Sequence, residues 1–201
     1  VFKVDINNKD NIYTLIITTI SKTFMFDYNN DTNEISINNK LILDNNELVI
    51  FVQNLKNFIV IITNKGIKIF NKNLEIISNN YIDEANKEII PLIAKFSKKL
   101  NVLFIYTNNQ NLMSFKFDND GNILEREEIL KHISLCDFDV CKFFLIYALW
   151  DSNDLFMYSF NSKKIEIINI PDENLDSTKF SSIKIFKYNS YHYLFISLST
   201  G

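Results

Sequence analysis

The sequence predicts an all-β protein, and within that class a β-propeller. Hydrophobic residues make up 47% of the 201 residues, and the 18 Phe and 9 Tyr are side chains that suit half-buried strands. An apolar strand, a short polar turn and a second, alternating strand occur together repeatedly, roughly every 42 to 49 residues, which is the length of a four-stranded propeller blade. Helical repeats of that length are excluded because the segments alternate at period two and are separated by Asn, Asp and Gly turns.

Successive blades are marked by the segments that share this pattern. They are Ile12–Phe26, Phe58–Phe70, Val102–Phe115, Phe143–Phe160 and Tyr193–Gly201, the last of which ends at its turn. We therefore predict an incomplete run of about four and a half four-stranded blades from a ring of about seven. Such a run cannot close a ring. We expect residues 1–201 to be a single propeller segment, truncated at both ends and completed by flanking sequence.

The strands of each blade follow from the same alternation. In the second blade we predict Glu47–Gln53, Phe58–Thr63, Ile67–Phe70 and Leu74–Ser78. In the third we predict Ile89–Phe96, Val102–Tyr106, Leu112–Phe117 and Ile123–Glu127, and in the fourth Ile133–Phe138, Phe143–Leu149, Leu155–Phe160 and Ile165–Ile170. The second strand is the most continuously apolar, as expected for a strand packed on both faces between neighbouring blades.

The turns are rich in Asn, whereas the whole chain has only 3 Gly and 2 Pro. Gly normally occupies the turn positions that need a positive φ, and Asn tolerates the same conformation. We therefore expect Asn to occupy these positions.

Composition excludes several classes of partner. The net charge of −3 leaves no basic field to neutralise phosphates, so we expect no direct nucleic-acid contact. No apolar run approaches the roughly 20 residues that span a bilayer, so we expect no membrane partner. Two cysteines predict no disulfide framework, which fits an intracellular protein.

Catalytic and metal-binding patterns are not found in the sequence. His132 and His192 stand far apart, and neither lies at ligand spacing from a cysteine. Cys136 and Cys141 are expected to be small buried residues. The sequence has no GxSxG, no HExxH and no Gly-rich phosphate loop. We therefore expect no enzymatic activity, no metal, no cofactor and no small-molecule substrate.

Two acidic patterns have both a chemical and a structural interpretation. Asp137 and Asp139 share one face of a strand, so a carboxylate pair is available, but no partner acid, base or nucleophile accompanies it. The run Asp118–Gly121 resembles the start of a calcium loop, but its Gly comes too early and no closing Glu follows. We expect ordinary polar strand residues in the first case and a hairpin turn in the second.

Residues 144–151 (FLIYALWD) and 190–201 (SYHYLFISLSTG) each combine an apolar strand with a polar turn. They resemble the Gly-Leu-Trp-Thr-Asp turn and the Ser-Ser-His-Tyr-Leu strand in the second propeller of the DNA damage-binding protein 1 family. Its relatives include the large polyadenylation-specificity and splicing-factor propeller proteins. Residues 131–139 (KHISLCDFD) are similar to the family's inner strand, and 117–128 (FDNDGNILEREE) are more similar to the splicing-factor relative. Ala148 and Asp151-Ser152 depart from the family's turn.

The resemblance implies a protein-binding scaffold. In that family this propeller docks the N-terminal helices of a cullin, within a nuclear ubiquitin ligase used in DNA repair. We therefore predict an adaptor propeller, nuclear and cytoplasmic, whose partners are a cullin and other propellers of the same chain. The alternative is a structural propeller subunit of a pre-mRNA splicing or cleavage/polyadenylation complex.

The resemblance also implies a partner-binding site at Trp150, Asp151 and His132. Trp150 is the only tryptophan and matches a tryptophan of the family's cullin-docking surface. His132 aligns with an acidic residue of that surface, so this contact changes in type. Alternation along the strand puts Trp150 at the rim of the propeller. A tryptophan there either binds a partner or caps the groove between two blades, since Trp is usually largely buried.

Overall fold

The computed structural model describes residues 3–9, 12–18, 22–43, 47–170 and 178–200. These residues form four antiparallel sheets of four strands and one of two strands. Within this part of the chain there is no helix, and so no helical segment that could cross a membrane. Residues 19–21, in the turn of the first predicted segment, and Gly201 lie outside the described residues.

Strands follow one another in chain order within each sheet. The first sheet is β1 (Lys3–Lys9), β2 (Ile12–Thr18), β3 (Lys22–Asn29) and β4 (Glu34–Ile42). The second is β5 (Val49–Asn54), β6 (Ile59–Thr63), β7 (Gly66–Phe70) and β8 (Ile76–Asn80). The third is β9 (Pro91–Ser97), β10 (Val102–Thr107), β11 (Leu112–Phe117) and β12 (Ile123–Leu130). The fourth is β13 (Leu135–Val140), β14 (Phe144–Leu149), β15 (Leu155–Ser159) and β16 (Ile165–Ile168), and the half sheet is β17 (Thr178–Tyr188) and β18 (Tyr191–Thr200).

Each sheet is one propeller blade, and its first strand is the inner one. The strands β1, β5, β9, β13 and β17 contact one another in succession along the chain. Consecutive antiparallel strands then lead outward through each blade. The predicted all-β class, the propeller architecture and the order of four blades and a half are confirmed.

The inner strands begin two residues later than predicted in the second, third and fourth blades. The residues ahead of each strand hydrogen-bond to a neighbouring turn instead of a strand. The backbone N–H of Leu48 donates to Asn64 Oδ1 at 2.8 Å, and the N–H of Ile133 donates to the carbonyl of Gln110 at 3.0 Å. Alternating hydrophobicity continues through these residues, which is why periodicity alone places them in the strand.

The hydrophobic core lies between blades. In β10, Leu103 and Ile105 pack in a cluster shared with the second blade, whereas Phe104 and Tyr106 pack in a cluster shared with the fourth. The strands β6 and β14 divide their side chains in the same way. The prediction that the second strand is packed on both faces is therefore confirmed, and a single blade has no complete core of its own.

Asparagine shapes the turns mainly through its side chain. Asn71 Oδ1 accepts the backbone N–H groups of Asn73 and Glu75, each at 2.9 Å, which extends that turn and delays the start of β8. Positive φ occurs at Asn33, Asn101 and Asn189, but also at Leu74, Gln110, His132 and Lys163. The expectation that Asn occupies these positions is thus correct only in part, because residues of other types also occupy them. Asn accepts hydrogen bonds on its amide oxygen more often than it adopts a positive φ.

Gly66, the first residue of β7, has a φ of 143°, and a Cβ there would overlap the backbone carbonyl oxygen of Asn80. We predict that Gly66→Ala lowers the free energy of unfolding by about 1–3 kcal/mol, because side chains are strained in this backbone region. Urea or thermal unfolding measures the loss. The neighbouring exposed substitution Lys65→Ala is the control and should change stability by less than about 0.5 kcal/mol. Equal stability of the two variants would contradict the argument.

Candidate protein-binding site

The turns between second and third strands lie at the same edge of the propeller as the connections between blades, because all strands within a blade are antiparallel. We call this edge the Trp150 rim. It comprises the turns at 64–65, 108–111 and 150–154 and the connections at 81–90 and 131–134. The opposite edge carries the turns between first and second strands.

Trp150 follows the last residue of β14 and is 56% exposed. Its backbone is held on both sides: its N–H donates to the carbonyl of Ser134 at 2.8 Å, and Lys179 Nζ donates to its carbonyl at 2.9 Å. A tryptophan that caps the groove between two blades would be largely buried. Trp150 instead combines a fixed backbone with an exposed side chain.

The second and third blades have Asn at the position of Trp150. Asn64 follows β6 and Asn108 follows β10. Each donates its N–H to the residue ahead of its inner strand, Leu48 or Ile90, at 3.0 and 2.9 Å. Each also accepts that residue's N–H on Oδ1, at 2.8 and 2.9 Å. Trp150 keeps only the first of these two bonds, since the indole ring has no acceptor.

His132 and Asp151 lie on the same rim. Asp151 is exposed and directly follows Trp150. His132 is exposed, has a φ of 52°, and donates its backbone N–H to Asn111 Oδ1 at 3.3 Å. It stands two residues before Ser134, whose carbonyl accepts the N–H of Trp150. The structure therefore puts all three predicted residues on one rim, with their side chains free of the core.

A buried tyrosine fixes the connection that carries His132. The hydroxyl of Tyr106 donates to the carbonyl of Ile133 at 2.8 Å and accepts the N–H of Leu135 at 3.2 Å. The third blade thus holds the entry to the inner strand of the fourth. Sequence analysis placed Tyr106 in a buried strand but gave no signal for this contact, since the partner lies in another blade.

Asp137 and Asp139 hold two blades together. Asp137 Oδ2 accepts the N–H of Ile183 at 2.8 Å, and Asp139 Oδ2 accepts the N–H of Ile185 at 2.8 Å. Neighbouring inner strands belong to different sheets and are not joined by backbone hydrogen bonds of a sheet. The carboxylates on β13 therefore accept the backbone N–H groups of β17. Lys184 Nζ lies 3.2 Å from Asp139 Oδ2. The shared face predicted for the two aspartates is consistent with these contacts.

The two cysteines differ in environment. Cys136 is buried and its Sγ donates to the carbonyl of Phe180 at 2.9 Å. Burial, with a smaller contribution from Asp137, raises the pKa of the Cys136 thiol, which keeps it protonated and unreactive. Cys141 is half-buried, so the expectation of two buried cysteines is wrong for this one. It lies past the end of β13, where the chain leaves the core to turn.

Asp118 begins the hairpin turn between β11 and β12. Its side chain accepts the N–H groups of Asp120 and Asn122 at 2.9 and 2.8 Å, and the side-chain amide of Asn122 at 2.8 Å. The bond from the Asn122 side chain contributes most to lowering the pKa of Asp118. The hairpin-turn interpretation is confirmed. Across the described ranges, no three His, Cys, Asp or Glu side chains come together as metal ligands.

Sequence analysis missed the role of Glu47. This residue is fully buried on the Trp150 rim; Thr63 Oγ1 donates to its Oε1 at 2.7 Å, and Lys68 Nζ lies 3.0 Å from its Oε2. The group ties the entry of β5 to β6 and β7. A glutamate beside a polar turn resembles a surface residue in sequence, so only the fold identifies it as internal.

We predict that Asp139→Ala lowers the free energy of unfolding by about 1–3 kcal/mol, because the N–H of Ile185 loses its acceptor in a partly buried place. Asp139→Asn retains an acceptor oxygen and should lose much less. Lys184→Gln removes only the exposed partner of the ion pair and should change stability by less than about 0.5 kcal/mol. Denaturant unfolding of the three variants tests this order. If Lys184→Gln lowers the free energy of unfolding as much as Asp139→Ala does, the ion pair and not the hydrogen bond to Ile185 accounts for the loss.

We also predict that Asn108→Ala lowers the free energy of unfolding by about 0.5–1.5 kcal/mol, because the N–H of Ile90 loses its acceptor. Asn108→Asp keeps the acceptor oxygen and serves as the matched control. Thermal unfolding compares the two. If Asn108→Ala is as stable as Asn108→Asp, the amide at this repeat position has no structural role.

One family model matches the chain, that of the RSE1/DDB1/CPSF1 second beta-propeller, over residues 1–201. No curated protein gives a significant match. Among solved structures, the chain is similar to the β-propeller domain of Cps50 (Swd1) from Myceliophteria thermophila, with 9% identity and a TM-score of 0.60. That alignment covers 87% of this chain and 60% of the other.

Two further solved structures show the same fold. A protein from Lactobacillus plantarum has 11% identity and a TM-score of 0.56, over 84% of this chain and 55% of the other. A protein of unknown function from Bacteroides caccae has 12% identity and a TM-score of 0.51, over 81% and 58%. The chain thus spans less than two thirds of the length of these structures. At such identities they are evidence of the fold alone, whereas the family model covers the whole chain.

The chain therefore belongs to the RSE1/DDB1/CPSF1 second β-propeller family, a family of propeller domains with a scaffold role.

Proposed function

We propose that this propeller is a non-catalytic interaction scaffold whose Trp150 rim docks the N-terminal helices of a cullin. The protein would then be an adaptor of a ubiquitin ligase linked to DNA repair, acting in the nucleus and cytoplasm. Its other partners are further propellers of the same chain, as expected for a family named for a second propeller. The observation that carries the proposal is the exposed Trp150 at a repeat position that is Asn in the second and third blades.

Trp at this position forms one hydrogen bond fewer than Asn and exposes a large apolar side chain to water. It brings no structural benefit to its own blade. Asn64 and Asn108 each close a second hydrogen bond with the entry of an inner strand, and Trp150 forgoes that bond. The indole ring of Trp150 is instead exposed to solvent. An exposed aromatic side chain on a fixed backbone is the feature that dominates binding energy at protein interfaces.

The environment of Trp150 suits a helix surface. The turn at 150–154 and the connection at 131–134 lie side by side, so they offer one apolar ring with polar side chains around it. Asp151 and His132 are the polar residues around the ring. Asp151 is acidic, and the imidazole of His132 is able to donate a hydrogen bond. An amphipathic helix recognises such a patch through one apolar stripe and flanking polar residues.

A structural subunit of a pre-mRNA splicing or cleavage/polyadenylation complex is the second candidate. The observation that favours it is the turn at Asp118–Gly121 with its following strand, whose sequence is more similar to the splicing-factor relative. The matched family includes both kinds of relative by name. Under this alternative the Trp150 rim contacts another subunit of that complex.

We predict that Trp150→Ala in the full-length protein abolishes co-purification of a cullin while changing the free energy of unfolding by less than about 1 kcal/mol. Loss of a central aromatic residue costs about 2 kcal/mol or more of binding. Quantitative affinity purification with mass spectrometry gives the first result, and thermal unfolding the second. Asn108→Ala, the same repeat position on the third blade, is the matched control and should retain the cullin.

Retained cullin binding in Trp150→Ala refutes the docking site. A loss of about 3–5 kcal/mol in stability would show instead that Trp150 is a packing residue. Recovery of splicing or polyadenylation subunits with the unmodified protein, in place of a cullin, would favour the second candidate.

A further inference from the structure

The edge of the propeller opposite to the Trp150 rim carries a cavity of about 230 Å³. It lies where the turns between first and second strands of the third blade, the fourth blade and the half blade meet. Its apolar walls are Phe96, Val140 and Ile185, each at or near the end of an inner strand. This cavity shares no residue with the docking site at Trp150, Asp151 and His132.

The polar lining of this cavity is entirely cationic or neutral. Lys98, Lys99, Lys142 and Lys187 line it together with His192, and no Asp or Glu does so. No carboxylate lies within 4.0 Å of these four ammonium groups in the part of the chain that the structure describes. The whole chain has a net charge of −3, so the clustering of lysines around this cavity is not a consequence of composition.

The lysines recur with the blades. One or two stand in or beside the turn between the first and second strands: Lys56 in the second blade, Lys98 and Lys99 in the third, Lys142 in the fourth, and Lys187, one residue before the end of β17, in the half blade. Lys9 likewise ends β1 in the first blade. Other lysines of the same blades are paired, such as Lys163 with Glu127 at 2.6 Å and Lys131 with Glu128 at 2.5 Å. Lys98, Lys99, Lys142 and Lys187, by contrast, have no acidic partner among the described residues.

Polar contacts below the cavity join the strands that carry these lysines. Asp139 joins β13 to β17 through the N–H of Ile185, directly beneath two of the turns. Its carboxylate is already engaged by that N–H and by Lys184, so it leaves the lysines of the cavity unneutralised. Lys187 is paired in register with His192 across β17 and β18, and Lys142 lies over the ring of Phe143 at 5.2 Å.

We propose that this cavity binds a short acidic peptide segment, with adjacent carboxylate side chains placed among the four ammonium groups. Clustered like charges around a partly apolar cavity focus potential toward an oppositely charged ligand. The apolar walls contact the methylene groups of Glu side chains. A peptide is favoured over nucleic acid because acidic residues of the outer turns, Glu75, Asp118 and Asp120, border the same edge and would repel a long phosphate backbone.

The test uses the full-length protein and a fluorescein-labelled octaglutamate peptide, with binding followed by fluorescence anisotropy at about 50 mM salt. The triple variant Lys98→Gln, Lys142→Gln, Lys187→Gln should bind at least about tenfold more weakly than the unmodified protein. The double variant Lys131→Gln, Lys163→Gln removes paired lysines elsewhere and should bind within about twofold. Raising the salt to about 0.5 M should weaken binding to the unmodified protein, since exposed charges are screened.

A second measurement needs no variant. Acetylation of lysines by an amine-reactive reagent should be slowed by octaglutamate at Lys98, Lys99, Lys142 and Lys187, and not at Lys131. Equal binding of the peptide by the triple variant, or protection spread evenly over all lysines, overturns the proposal. Tighter binding of a labelled oligothymidine of the same length, lost in the same variant, overturns it in favour of nucleic acid. Because Trp150 lies at the other edge, loss of cullin docking in Trp150→Ala leaves this result unaffected.

Discussion

The constraint on which this structure depends is the alternation of side chains along the second strand of each blade. A strand of period two places successive residues on opposite faces, and in β6, β10 and β14 both faces are buried, each against a different blade. In β14, Leu145 and Tyr147 pack toward the third blade, while Ile146 and Ala148 pack toward the half blade. Burial raises the pKa of Tyr147 to about 12, because its ionised form would be poorly solvated between the blades. A single blade would therefore leave an apolar face of its second strand without the neighbour that covers it.

This packing leaves the turns free to vary. The core uses the middle of the strands, and polar contacts at the strand ends hold the blades in register. The bonds from Tyr106 to the connection before β13 and from Asp139 to β17 are of this kind. Each joins a side chain of one blade to the backbone of the next, and so fixes a turn without occupying its outer surface. The two edges then carry different chemistry: an exposed tryptophan with mixed polar groups on one, and unpaired lysines on the other.

Comparison among the blades indicates which surface positions have a role other than folding. Where the same backbone position performs the same hydrogen bonding in two blades, as at Asn64 and Asn108, a structural role accounts for the residue. Trp150 departs from that role, which is why it carries the proposal of docking. The four lysines around the cavity of the opposite edge have no acidic partner, so their common feature is the field that they create together. Family membership supports a scaffold, and we propose these two edges as the surfaces that hold its partners.

The sequence by itself determined the class of fold, the number of blades and most strand positions, because alternation and turn residues are local signals that a single chain displays. It also placed Trp150 at a rim and Asp118 in a hairpin turn, since both follow directly from position relative to a strand. Only the tertiary structure decided which polar residues are internal. Glu47, Asp137 and Asp139 look like ordinary surface acids, yet each is bonded to a strand or blade distant in sequence. The start of each inner strand and the cavity among the lysines were likewise decided by contacts between blades, which no local pattern encodes.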